Sequence, residues 1–299
     1  MLARLLAGGR ALPPESQGAL GVMAAMLLFV CMDSIAKRLG QDLPALQVVW
    51  ARYLSQTMLM VAIFLPRLHR VVRTGHLSIQ LVRSLLLFGA TSLFFWSLKF
   101  LELAEAVAMM EVAPLLITLL AAVVLGERVG PRRWIAVGFG LIGALILLRP
   151  GFGVFQPAAL LTLGAAVCLA SYNIATRMLG AVDPIWTTVL YTTGAGALIS
   201  SLAMPFVWVT PSVPQALWMC VIGVPGFLGH VALVWALGRA EASALAPFNY
   251  TGLVWGILFG LVFFAEVPGA VTLLGAAVIV GAGIYVWHRE RVVGARRAA

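Results

Sequence analysis

SIAKRLG, residues 34–40, returns as NIATRMLG at residues 173–180, and each copy runs on to a proline, Pro44 in the first case and Pro184 in the second. The offset from Ser34 to Asn173 is 139 residues. Two further pairs keep nearly the same spacing: AEAVA from Ala104 with AEASA from Ala240, 136 apart, and Glu127 with Glu266, 139 apart. A single short match can arise by chance. Three in the same order indicate a duplicated unit with small insertions or deletions between the copies.

Around these motifs the chain is almost wholly apolar. Of its 299 residues 62% are hydrophobic and only 10% charged, with a mean hydropathy of +1.02, whereas soluble domains carry about 25% charged residues. A soluble fold could not hide this much apolar surface. Runs long enough to cross about 30 Å of hydrocarbon recur throughout. Bounded by charges and Pro/Gly breaks, they predict helices at 18–39, 45–65, 82–100, 104–125 and 133–149, then at 157–178, 185–207, 215–237, 243–264 and 269–287. The expected fold is therefore an all-α membrane protein of ten transmembrane helices. The tight connection near Glu102 is the place where a count of nine would arise, which would leave the C-terminus outside.

The formal charge of +9 would point to nucleic acid in a soluble protein. Here the basic residues sit mainly in short loops and at the C-terminus, the pattern that sets orientation in a membrane. With a cytoplasmic N-terminus, 15 arginines, Arg83 among them, fall on the inside, against four basic residues outside, Lys37, Arg38, Lys99 and Arg149. Both termini are expected to be cytoplasmic. Residues 1–17 read as an N-terminal tail, 18–149 and 157–287 as the two repeats, and 288–299 as a basic C-terminal tail. A bacterial-type inner membrane is the expected location.

Because five is odd, the second unit enters the membrane from the opposite side, and the two repeats are inverted. Two similar halves of opposite orientation can close one face as the other opens around a site near the midplane. That arrangement suits a carrier of small solutes. A receptor or assembly factor that binds a ligand without moving it is the alternative, and vesicle counterflow separates the two. An intramembrane enzyme would have only Glu111, His230 and Asn249 as its chemistry.

DSIAKRLG at the end of helix one, VVWARYL around Arg52, and AEAVAMMEVAPLLITLLAAVVLGERVGPRRW from helix four onward carry a family resemblance. So does ASALAPFNYTGLVWGILFGLVFFAE in the second half. Together they make the chain similar, from Gln17 to Trp287, to the ten-helix EamA-type branch of the drug/metabolite transporter superfamily. The GER element after helix four, ahead of the Gly-rich WIAVGFGLIGALILL, is the most diagnostic; its second copy reads FAEVPG, with Ala265 where Gly is expected. The resemblance implies a secondary carrier with a central cavity lined by both halves. Members similar to this chain are associated with amino acids, nucleobase-like compounds, riboflavin and S-adenosylmethionine.

An ionisable residue at bilayer depth costs roughly 2.5–3.5 kcal/mol or more on insertion scales, so each should face a partner or water. Asp33, Arg52 and Glu111 fall at similar expected depth in the outer half. They read either as a charged pocket, in which Arg52 takes a carboxylate or phosphate and Asp33 or Glu111 an amine or coupling proton, or as an ion-pair network tying helices together. Applying the offset of 139 residues takes Asp33 to Tyr172, Arg52 to Tyr191 and Glu111 to Tyr250. Inversion would place these tyrosines, with Asn249, in the inner half as an aromatic lining for a planar solute. The plainer reading puts them in the interfacial aromatic belt. His230 lies near the midplane and is a candidate, with Glu111, for proton coupling.

Pro114 and Pro247 are placed to break helices four and nine beside this region. Glycines 138, 140, 143, 275, 281 and 283 permit close contact of helices five and ten, between halves or in a homodimer. The chain contains no phosphate-binding GxxxxGK[ST] loop and no HExxH. Cys31, Cys168 and Cys220 lie in apolar runs without metal-ligand spacing. No cofactor or metal is expected, and the expected partners are lipid and a small-molecule substrate, not nucleic acid.

Overall fold

The structure, a computed structural model, describes residues 13–126, 131–148, 157–179, 183–240 and 242–298. Ten helices and no strand are found among them. They are α1 (Pro14–Gly40), α2 (Ala45–Phe64, continued by short turns to Val71), α3 (Leu77–Ser97), α4 (Leu103–Met110 and Ala113–Val124) and α5 (Pro131–Leu148). The second half supplies α6 (Pro157–Leu179), α7 (Ile185–Val207), α8 (Val213–Val221 and Gly223–Leu237), α9 (Ala242–Leu245, a 3-10 segment Ala246–Tyr250, and Thr251–Phe264) and α10 (Ala270–Ala298). Eight are long and apolar enough to span a bilayer; the apolar stretches of α5 and α10 are shorter, Val137–Leu148 and Ala270–Tyr285. Large apolar side chains face outward along them, Phe206 at 87% exposure being the extreme. In water that surface would be untenable; in lipid it is the solvated face.

The packing carries the signature of the inverted repeat. α1 lies against α8 and α9, and α6 against α3 and α4. α2 meets α8, and α7 meets α3. Shifting each helix number by five turns one contact into the other. Helices α2 and α7, α4 and α9, and α5 and α10 pair directly with their own counterparts, and so mark the seam on which the pseudo-twofold axis lies. At that seam α5 and α10 come close enough to need glycine. A Cβ on Gly143 would lie 2.7 Å from Ile279 and 3.0 Å from the Gly275 carbonyl. The glycine contact thus joins the two halves of one chain, while Gly138 and Gly281 face open space and Gly140 takes the Leu115 side chain.

Three helix ends differ from the sequence expectation. α1 starts at Pro14, with proline at the first turn where its missing N–H costs nothing. α10 runs to Ala298, through the segment expected to be a tail. α3 starts at Leu77 rather than 82, so Arg83, counted above as an inside charge at the helix start, sits well inside the helix and is fully buried. Arg83 therefore drops out of the charge count used to expect an orientation. Glu127, Arg128 and Arg149 lie outside the described residues.

Candidate functional site

Helix α1 positions the site. Met26, Phe29, Asp33 and Lys37 recur every three or four residues and therefore share one side of it. Each meets a different polar or aromatic neighbour.

At the C-terminal end of α1, Lys37 forms an ion pair of 2.6 Å with Glu266, the residue just past α9, and also donates to the Leu101 carbonyl. The second carboxylate oxygen of Glu266 accepts the Leu103 N–H at 2.8 Å. Leu103 opens α4, so one carboxylate both caps that helix and holds the end of α1. Sequence reading missed this contact, because Lys37 was taken only as an outside charge at the end of helix one and Glu266 only as a mark of the repeat.

One turn inward, Asp33 is buried and close enough to Arg52 to feel its charge, but the two do not form an ion pair. Arg52 donates instead to the Thr91 hydroxyl, which shares a 2.9 Å hydrogen bond with Tyr53. Its guanidinium also lies over the rings of Tyr53, at 5.1 Å, and Phe95, at 5.6 Å. His230 sits edge-on to Phe29, ring centroids 5.0 Å apart, within electrostatic range of Arg52. Its Nδ1 donates to the Gly226 carbonyl at 2.7 Å, since a carbonyl can only accept, and Nε2 is left for another partner. Asp33, Arg52 and His230 are therefore neighbours.

Glu111 is elsewhere. It lies at the break in α4, and a Cβ on Gly252 of α9 would be 3.7 Å from its Oε1 and 3.7 Å from Met26 Sδ. Met26 is seven residues inward of Asp33, about 10 Å along a helix, so the three charges do not share one depth. Tyr250 is within electrostatic reach of Glu111. These two positions are equivalent in the repeats, and their meeting at mid-membrane is what a position near the axis requires. Helices α4 and α9 are both interrupted here, Pro114 following one break and Pro247 lying in the 3-10 turn of the other, as the prolines led one to expect.

The remaining expected residues disperse. Tyr172 accepts from Arg83 at 3.0 Å, and the guanidinium lies 4.8 Å from its ring centroid. Tyr191 donates to the Val72 carbonyl at 2.9 Å, at the exposed inner end. Asn249 donates to the Ala246 carbonyl at 3.1 Å and so secures the 3-10 turn. Tyr250 presses its hydroxyl onto Gly283, where no Cβ would fit. A single aromatic lining made of all three tyrosines is not what the structure has.

What the sequence reading overlooked is a polar stripe on α3. Gln80, Arg83, Ser84 and Thr91 are all buried on one face. Arg83 donates to Gln80 at 2.9 Å and Thr176 at 2.7 Å as well as to Tyr172. Gln80 donates in turn to Asp183 at 2.8 Å, which also accepts from Thr74 at 2.5 Å. Those hydrogen bonds hold the Asp183 carboxyl below its ordinary range, with Thr74 the main cause. With Tyr172 in electrostatic reach of Tyr53, polar groups run from Asp183, just ahead of α7, to Asp33 on α1. The spacing 80–83–84–91 in an otherwise apolar run was the available signal.

Comparison with known proteins agrees with this architecture. The sequence matches the EamA-like transporter family twice, over residues 16–149 and again over 156–287. It is 32% identical over 278 residues to a riboflavin transporter of Vibrio cholerae, covering 88% of this chain and 90% of that one. It is 30% identical over 276 residues to a pseudopaline exporter of Pseudomonas aeruginosa, covering 89% and 94%. An S-adenosylmethionine uptake transporter of Rickettsia bellii is 25% identical over 259 residues, 87% of this chain and 89% of that protein. A crystal structure superposes with a TM-score of 0.66 at 23% identity, over 93% of this chain and 99% of its own, and shares the fold. With two family matches that together span most of the chain and an inverted ten-helix packing to match, this protein belongs to the EamA-like transporter family.

Proposed function

We propose that the chain is a secondary carrier that moves a small polar metabolite across a bacterial inner membrane by alternating access, with both termini in the cytoplasm. The observation that carries this reading is a set of ionisable groups at membrane depth that the protein leaves without matching partners. Asp33 and Glu111 accept no hydrogen bond from any described residue, and Arg52 Nε is buried without an acceptor. A scaffold would pair such groups or dispense with them. A carrier holds them for a solute.

Relatives named for riboflavin, S-adenosylmethionine and pseudopaline support a metabolite that combines a polar head with a charged or heterocyclic part. In this reading Arg52 and Asp33 address that solute from the outer half, and Glu111 and Tyr250 meet it near the axis. Tyr172 and Asn249 serve the inner path, and Tyr191 its rim. Glu111 and His230 are the groups that could exchange a coupling proton. The two repeats, 18–149 and 157–287, would rock about the seam formed by α2–α7, α4–α9 and α5–α10, and the glycine-lined α5–α10 contact leaves a homodimer nothing it must supply.

Counterflow in proteoliposomes tests the assignment, with labelled riboflavin, S-adenosylmethionine and amino acids as probes. Wild-type protein is expected to exchange at least one of them, and Arg52→Ala and Glu111→Gln each to lower that exchange by at least tenfold while unfolding normally in detergent. Normal exchange by both variants would remove these residues from the pathway.

A further inference from the structure

Gln56 lies one helical turn inward of Arg52 on α2, the same face by spacing. It is 1% exposed, and neither its amide oxygen nor its amide nitrogen has a hydrogen-bond partner. Such a group is rare in a folded protein, where buried polar atoms are almost always satisfied. Leaving both ends of an amide unmet carries the desolvation penalty of each. Packing does not call for an amide here. A Cβ on Gly226 of α8 would lie 3.6 Å from Gln56 Oε1 and 2.8 Å from Met32 Sδ, so the side chain sits among α1, α2 and α8 with a thioether close by. Serine and threonine in a membrane helix commonly return their hydroxyl to the carbonyl one turn back, as Ser55 does at 2.6 Å to Ala51. A glutamine amide has no such local refuge in use here.

The surroundings share the deficit. Arg52 Nε is buried without an acceptor, Asp33 has no donor, and His230, whose Nδ1 is taken by the Gly226 carbonyl, has Nε2 left over. Gly226 also lies beside the Gln56 amide, a Cβ there being 3.6 Å from its Oε1. The unmet groups thus converge from three helices.

We infer that Gln56 is a specificity-determining residue of the carrier's solute site, recognising a solute edge on which a hydrogen-bond acceptor stands beside a donor: a carboxamide, a lactam, an imide or an amidine. An amide presents one donor and one acceptor side by side, and only an edge of the opposite order satisfies both at once. Discrimination of this type is strong, because a solute lacking the edge leaves the buried amide unpaired. Arg52 and Asp33 then take the solute's charged or polar remainder. This inference rests on the carrier reading above.

The test uses Gln56→Met, which conserves volume and removes both polar atoms, and Gln56→Glu, which keeps the shape and the acceptor but loses the donor. Wild type and variants are compared by thermal unfolding in detergent and by counterflow with two sets of solutes. Riboflavin, adenosine and glutamine carry the edge; choline, glutamate and spermidine do not. The expected result is a Gln56→Met protein at least as stable as wild type that exchanges the edge-bearing solutes at least tenfold more slowly, with Gln56→Glu also impaired. A Gln56→Met protein that is clearly less stable assigns the amide to the fold and overturns the inference. Unchanged exchange in Gln56→Met overturns it too, leaving the carrier reading intact, as does wild type that exchanges only the edge-free set. Wild type that exchanges nothing in either set, while Arg52→Ala behaves identically, sinks the inference together with the substrate reading on which it rests.

Discussion

The two ends of the helix bundle are related by the repeat and yet are held together by different chemistry. At the outer end one ion pair, Lys37 with Glu266, ties the end of α1 to the junction of α9 and α4. The position equivalent to Lys37 in the second half is Thr176, which carries no charge and instead accepts from Arg83 of α3. The inner end is held by a spread of hydrogen bonds through Arg83, Tyr172, Gln80, Thr74 and Asp183. Duplication therefore fixed the backbone geometry of both ends while the polar contacts diverged. One end depends on a single strong contact, the other on several weaker ones.

Removing the single contact should have the largest effect. Lys37→Met leaves a carboxylate unpaired, and breaking a buried pair costs about 3–5 kcal/mol. Glu266 keeps 19% of its side chain exposed, so the loss is expected near the lower end, about 3 kcal/mol. Chemical denaturation in mixed micelles measures it, and adding Glu266→Gln should recover most of the loss. A cost under about 1 kcal/mol, in the range of surface pairs, would deny the outer contact its special weight.

A smaller effect is expected at the residue just before Glu266. Ala265 adopts φ 54°, and its repeat equivalent Gly126 adopts φ 67°. Both positions close a helix in the left-handed region that favours glycine, which explains why the family pattern carries Gly there. Ala265→Gly should stabilise the protein by about 1 kcal/mol, and Gly126→Ala should destabilise it by a similar amount. Opposite signs in one unfolding series would show that the two junctions share their backbone requirement.

The smallest effect belongs to the inner rim and appears only as a function of pH. Asp183 titrates below its ordinary range because Thr74 and Gln80 donate to it. A carboxyl depressed in the folded state adds stability above its unfolded pKa of about 4 and loses it as pH falls through the lower folded value. Wild type should therefore exceed Asp183→Asn in melting temperature at neutral pH, with the gap shrinking below about pH 4. A gap constant with pH would mean that the contribution is not carried by the ionised form.

Much of the fold was legible because lipid leaves few options. Apolar length, proline position and an odd repeat of five fix helices, breaks and inversion. The site was harder to read. Arg83 was lost because a helix start was misplaced by five residues, which put a buried cation at the helix end and among the inside charges. Gln56 was passed over because a neutral side chain breaks no hydropathy pattern; its interest lies in missing partners, which only coordinates reveal. Tyr172, Tyr191 and Tyr250 were grouped by arithmetic on the repeat. In an inverted repeat the sequence offset mirrors depth across the midplane but says nothing of which neighbour a hydroxyl will find.

Helix α9 presents Gly252, Gly256 and Gly260 to α4, where Glu111, Val107 and Leu103 lie beside them in turn. Ordinary helix pairs mesh ridge into groove, so sliding one along the other forces side chains to climb over one another. Here one partner has no teeth. Under the proposed rocking of the two repeats, the α4–α9 seam would serve as a plain bearing on the axis of the molecule, with the friction that side chains would add left out of the sequence.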